Sequence, residues 1–295
     1  MGDYILSCCS TVDLTEEYLR KKEIEYIPFH YELDGQEYLD DMGRSMSYDT
    51  FYRRMSEGAS TRTSQVSAGE YERYFEKFLK AGKDVIHLTL SSGISGTLNS
   101  ANVAKDILSE RYPDRKLYVV DSLAASGGYG LLMDTLAAKR DEGMTAGELA
   151  AWAENHKLEL HHWFFTTDLT FFIRGGRVSK VSGYFGNLLN ICPLLNVDYQ
   201  GKLIPRYKIR TKKKVIAETL ERMKENADKG LNYDGKVFIN DSACRHDSDE
   251  LAALIRETFP YIDGEVLQNS IGTTIGSHTG PGTVALFFWG KKRTD

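Results

Sequence analysis

The run Leu88-Thr89-Leu90-Ser91-Ser92-Gly93-Ile94-Ser95-Gly96-Thr97-Leu98 gathers hydroxyls and glycines between an apolar segment and a helical pattern. Two chemistries use such a stretch. A serine on a sharp strand-to-helix turn can be a nucleophile, in the pattern Gly-x-Ser-x-Gly. Alternatively, its hydroxyl and the backbone N–H groups at the helix start hold an anion. Here Thr97 stands where the nucleophile pattern has its second glycine, and no His-Gly-Gly segment supplies an oxyanion hole. A base would have to be His278, with no clear acidic partner. Ser95 is therefore expected to hold an anion; a serine hydrolase or acyltransferase using Ser95 is the alternative.

Other residues invite similar scrutiny. Thr63-Ser64-Gln65 offers hydroxyls, or is simply a polar loop before a helix. Arg177 follows Gly175-Gly176 and suits an anion or partner contact, or a loop salt bridge. His278 opens the turn-like stretch His278-Thr279-Gly280-Pro281-Gly282. Adjacent strand residues point to opposite faces, so His161 and His162 cannot chelate together. The cysteines, Cys8, Cys9, Cys192 and Cys244, form no CxxC pair, so neither a metal site nor a disulfide framework is expected. There is no phosphate loop and no dinucleotide fingerprint.

These residues need a scaffold. Alternation predicts strands near 4–6, 25–33 and 37–39, with Asp34-Gly35 as a hairpin turn. Strands at 84–90 and 116–120 alternate with helices at 15–22, 97–112 and 125–140. Ser67-Ala68-Gly69-Glu70 and Thr145-Ala146-Gly147-Glu148 are capping boxes that open two more. The first opens a helix whose Tyr71, Phe75, Phe78 and Leu79 share a face. This β-α-β-α order predicts a parallel sheet with helices on both faces, carried by residues 1–158. Ligands bind beyond the carboxyl ends of such strands, where both 91–97 and Asp121-Ser122 fall. Residues 159–295 mix hairpin-like strands with helices and predict an α+β domain with a mixed or antiparallel sheet. Its strands are expected near 161–167, 203–209, 236–240, 264–268 and 283–289, with an apolar run over 188–197 and helices over 211–227 and 249–258.

Composition narrows the function. The net charge of −5 opposes a nucleic-acid surface, and Lys212-Lys213-Lys214 reads as a solvated helix start. No apolar stretch approaches the ~20 residues of a membrane-spanning helix. Nor does the beginning of the sequence read as a secretory signal or a myristoylation site. A cytoplasmic monomer is expected.

Six segments together resemble the DegV family of bacterial fatty-acid-binding proteins. They are Thr63-Ser64-Gln65, Ser91 to Gly96, Asp121-Ser122 with the following glycines, Gly175-Gly176-Arg177, Pro205 to Lys214, and His278 to Gly282. The resemblance runs nearly end to end. It implies two α/β domains with one long-chain fatty acid, of the palmitate, stearate or oleate class, buried between them. It also implies a carrier without catalytic residues and without a further cofactor. Thr63 and Ser95, with Ser64 and Gly96 beside them, would hold the carboxylate. Arg177 and His278 would lie near the mouth, where a separate fatty acid kinase subunit meets the family's members and phosphorylates the bound acid for phospholipid synthesis. The family's usual Asp-Ser-Thr after the first strand is Cys9-Ser10-Thr11 here.

An apolar tunnel from Phe164, Phe165, Phe171, Phe172, Ile173, Leu188, Leu189 and Ile191 would receive the tail. At ~0.8 kcal/mol per methylene, ~14 methylenes contribute about 11 kcal/mol before association costs. The tail would dominate affinity and the head would set orientation.

Overall fold

The computed structural model describes residues 4–178 and 191–294. Strand β1 (Tyr4–Cys9) leads through a single 3-10 turn to helix α1 (Glu16–Lys21), whose N-cap Thr15 accepts the Tyr18 N–H. Strand β2 (Ile24–Ile27) then runs parallel to β1. Next come β3 (His30–Leu33), β4 (Gln36–Leu39), helix α2 (Tyr48–Ser56) and β5 (Thr61–Ser64). Helix α3 (Ala68–Lys80), β6 (Asp84–Thr89), α4 (Thr97–Arg111), β7 (Leu117–Asp121), α5 (Ser126–Asp141) and α6 (Ala146–His156) follow.

These strands form two sheets. One is parallel, in the order β2-β1-β6-β7; the other is small and antiparallel, in the order β4-β3-β5. Every residue of β6 from Val85 to Thr89 is buried. Successive side chains point to opposite faces, so this sheet is covered on both sides. Both capping boxes form, Ser67 with Glu70 and Thr145 with Glu148.

The remainder builds a six-stranded sheet. Its elements are β8 (Leu160–Phe165), α7 (Thr170–Arg174), β9 (Ile191–Val197), β10 (Leu203–Arg210), α8 (Lys212–Asn226), β11 (Phe238–Asp241), α9 (Arg245–Thr258), β12 (Leu267–Ser270), α10 (Thr273–Thr279) and β13 (Val284–Trp289). The order is β10-β9-β8-β13-β11-β12, antiparallel throughout except for the parallel pair β11 and β12. One face, with Phe164, Phe238, Ala285 and Phe287, joins the core of the parallel sheet. The other, with Trp163, Phe165, Leu286 and Phe288, packs under α8 and α9.

Three expectations need correction. The strand expected over 25–33 is two strands divided at Pro28, which has no N–H to give to a ladder. Its first part joins the parallel sheet and its second the small sheet. The polar stretch around Thr63 is not a loop but edge strand β5, with Thr63 paired to Tyr31. His278 sits on helix α10, not in a turn. Gly276 inside that helix lets it approach Tyr52, because a Cβ there would fall 2.4 Å from Tyr52 Oη.

Candidate functional site

A cavity of about 370 Å³ lies between the carboxyl ends of the parallel strands and one face of the six-stranded sheet. Strand register builds its floor. Thr283, Ala285 and Phe287 alternate at and along β13, with Phe164 opposite Ala285 and His162 opposite Phe287 on β8. Val197 and its partner Leu203 extend the floor onto β9 and β10. Leu90, Ile94 and Ala125, all just beyond β6 and β7, close the cavity from the parallel sheet. The lining is thus largely apolar.

One part of the wall is polar. Thr63 and Ser64 from β5, Gln65, Ser95 from the turn before α4, Arg177 after α7 and His278 from α10 all line the cavity. His278 Nε2 lies 2.7 Å from Thr63 Oγ1. Burial, with a smaller contribution from the Arg177 charge, lowers the His278 imidazole to about 4, so it is neutral near pH 7. Arg177 is half-buried, and burial lowers its guanidinium also. It donates from Nε to Ile94 O at 3.2 Å and from Nη1 to Gly175 O at 2.6 Å. Ser95 Oγ accepts the Thr97 N–H at 3.3 Å. Hydroxyls and a guanidinium therefore meet in the wall of a largely apolar cavity, which suits an amphiphile with an anionic head.

The Ser91–Thr97 turn is itself held from two sides. Ser92 and Leu123 both donate their N–H to Asp121 Oδ1 at 3.1 Å, which ties the two loops at the sheet edge together. Ser91 Oγ donates to Gly201 O at 2.8 Å, in the turn between β9 and β10. Gly93 presses on that same turn: a Cβ there would lie 2.5 Å from Gly201 O. Gly96 is exposed and does not line the cavity. Its missing side chain makes room for Gln65, whose Oε1 would sit 2.7 Å from a Cβ.

Of the residues expected to form the tunnel, Phe164 and Phe172 stand in its wall, their ring centroids 5.8 Å apart. Phe165 points to the opposite face of its strand and Phe171 packs in the core of the small sheet. Ile173 and Ile191 are partly buried but do not line the cavity. Leu188 and Leu189 lie outside the described residues. The sequence reading missed the floor formed by Thr283, Ala285 and Phe287, whose every-second-residue spacing on the last strand was the available signal.

The geometry bears on other chemistries too. His278 turns Nε2 to Thr63 and makes no hydrogen bond to Ser95, so no Ser–His pair forms. Among the described residues no group of three or more His, Cys, Asp or Glu side chains is placed to hold a metal ion. His161 bonds to Lys291 O and stacks on Phe288, on the face opposite His162. No helix among the described residues is long and apolar enough to cross a membrane.

The family model described as uncharacterised proteins of the DegV family matches residues 9–291. The chain belongs to the DegV family. It is 34% identical to a DegV domain-containing protein of Clostridium perfringens over 293 residues, 98% of each chain. It is 31% identical to a protein of Thermotoga maritima named fatty acid-binding protein, over 94% of each. Among solved structures, a DegV lipid-binding protein of Thermotoga maritima superposes with a TM-score of 0.84 at 28% identity, covering 100% of both chains. A Thermus thermophilus DegV protein, described by its fatty acid binding, gives 0.85 at 26% identity over 98% of this chain and 100% of that one. The Streptococcus pneumoniae Fatty Acid Kinase (Fak) B3 protein, loaded with linoleic acid, shares the fold with a TM-score of 0.83 at 23% identity, covering 99% and 100%. DegV proteins thus include named fatty-acid binders, and this DegV chain has their two-domain α/β architecture.

Proposed function

We propose that the chain binds one long-chain fatty acid, with its tail in the cavity and its carboxylate at the Thr63, Ser95 and His278 end. The observation that carries this is the cavity itself: a largely apolar floor with hydroxyls and a guanidinium in its wall. Thr63 and Ser95 would donate hydroxyl hydrogen bonds, Ser64 would lie alongside, and the Arg177 charge would favour the ionised head. Burial of the tail supplies most of the affinity. The relatives named as fatty-acid binders support the ligand class.

In this reading the protein is a carrier without catalytic residues. It presents the acid to a separate fatty acid kinase, which forms the acyl phosphate, with Arg177 and His278 serving the partner-facing end. That step rests on the resemblance of the six sequence segments. Residues 1–158 would carry the head site and residues 159–295 would cover the tail, in a cytoplasmic monomer.

Native mass spectrometry of the purified protein, followed by extraction and identification of the released ligand, tests the reading. One fatty acid per chain, weakened in Thr63→Ala and Ser95→Ala, supports it. A ligand-free protein that refuses added fatty acids but hydrolyses activated esters through Ser95 overturns it.

A further inference from the structure

Beneath the Ser91–Thr97 turn runs a chain of side-chain hydrogen bonds that the proposed function does not use. Tyr74 Oη lies 2.8 Å from Ser7 Oγ, and Ser7 Oγ lies 2.9 Å from His87 Nδ1. His87 Nε2 lies 3.6 Å from Cys9 Sγ, which is 3.2 Å from Tyr71 Oη. Tyr71 Oη in turn lies 2.8 Å from Thr97 Oγ1. Ser7, Cys9, Tyr71, His87 and Thr97 are each 0% exposed, so water competes for none of the bonds among these five, while Tyr74 at the far end is partly exposed.

A cysteine beside a histidine invites a nucleophilic reading, but the setting opposes it. Burial pushes the Cys9 thiol up to about 11 and the His87 imidazole down to about 3. Both groups are neutral near pH 7, and a thiolate needs the reverse environment. A sealed, neutral, connected polar network fixes geometry instead.

What it fixes is at its end. Thr97 is the first residue of α4, and the N-cap, Gly96, has no side chain with which to cap the helix. Two interactions hold Thr97: its hydroxyl meets Tyr71, and its backbone N–H donates to Ser95 Oγ. We propose that Tyr71 is a positioning residue for the head-group site, setting Thr97 and through it the Ser95 hydroxyl. This inference rests on the reading that Ser95 meets the ligand's carboxylate. Tyr71 itself lies outside the cavity wall.

Delipidated full-length protein is titrated with palmitate and with hexadecanol, which has the same number of carbons but no carboxylate, by displacement of a fluorescent fatty-acid analogue. Tyr71→Phe should weaken palmitate roughly three- to tenfold, the worth of one hydrogen bond. Hexadecanol should change much less. In the Ser95→Ala background the same substitution should add little, because both act on one interaction. Thr97→Val reads the link from its other side, with the same expectation, should Tyr71→Phe fail to fold. Equal weakening of both ligands, or full additivity with Ser95→Ala, overturns the positioning role. Wild-type palmitate affinity in Tyr71→Phe, when Ser95→Ala has lost affinity, overturns it too and leaves the carboxylate reading standing. Wild-type palmitate affinity in Ser95→Ala overturns the carboxylate reading, and the role of Tyr71 with it.

Discussion

Thr63 and His278, 215 positions apart in the chain, meet at 2.7 Å across the cavity wall. Their pairing brings an edge strand of the small sheet against a short helix that precedes the last strand of the six-stranded sheet. Removing the hydroxyl by Thr63→Val should leave the fold intact, because Thr63 is only partly buried on that edge strand. Fatty-acid affinity should fall about tenfold or more, the range for a hydrogen bond to a charged group, as measured by calorimetric titration.

The same imidazole gives a pH dependence with a definite sign. Burial holds His278 at about 4 in the folded chain against 6.5 as its ordinary value, and His87 at about 3. Between those values the unfolded chain binds more protons, so stability rises with pH and is lost as pH falls below about 6.5. A carboxylate beside His278 favours its protonated form. Melting temperatures of delipidated and loaded protein should therefore separate further as the medium is acidified, until the ligand itself protonates. A constant gap would count against contact between His278 and the head group.

Gly93 should tolerate no side chain. A methyl group in Gly93→Ala would meet the Gln200 and Gly201 carbonyls at 2.6 and 2.5 Å, and the turn between β9 and β10 would have to move. The expected cost is about 1–3 kcal/mol, read by urea unfolding. Ligand affinity should fall as well, because Gly93 shares the Ser91–Thr97 turn with Ser95, and the clash pushes on that turn too.

Arg293 is a clasp between the two halves. It is 5% exposed and donates to Val197 O and Asp198 O on one side and to Leu123 O and Lys157 O on the other. Arg293→Met takes the donor from two buried bonds, to Val197 O and Asp198 O, and from two partly buried ones, with an expected loss of roughly 3 kcal/mol. Thermal unfolding checks this. A wild-type melting temperature would show that the clasp is dispensable.

What the sequence made legible follows from the kind of signal each element carries. Helices α3 and α6 announce themselves by complete capping boxes, and β6 by the apolar residues Val85, Ile86, Leu88 and Leu90 just before a turn. Strand β5 is Thr-Arg-Thr-Ser, with no apolar residue to reveal its period, and only pairing to β3 makes it a strand. Helix α10 combines glycine with β-branched residues, which are poor helix formers, and is held by tertiary contacts such as that of Gly276 with Tyr52. The hydroxyl, arginine and histidine residues of the site stood out by type and local context. That Ser91 would bond to Gly201, or Thr63 to His278, depends on sheets packing together and has no local signature.

The floor of the cavity has a temporal consequence. Thr283, Ala285 and Phe287 sit on β13, the last strand in chain order, yet this strand occupies the middle of its sheet, between β8 and β11. During synthesis the parallel sheet can assemble as soon as residue 121 is free, but the full floor of the cavity waits for residue 289. Until then β8 and β11 each lack a neighbour and expose unpaired edges. If the cavity takes a lipid, loading would thus be a late event in the life of the chain, and a ribosome stalled before β13 would display a formed Ser91–Thr97 turn above an unfinished floor.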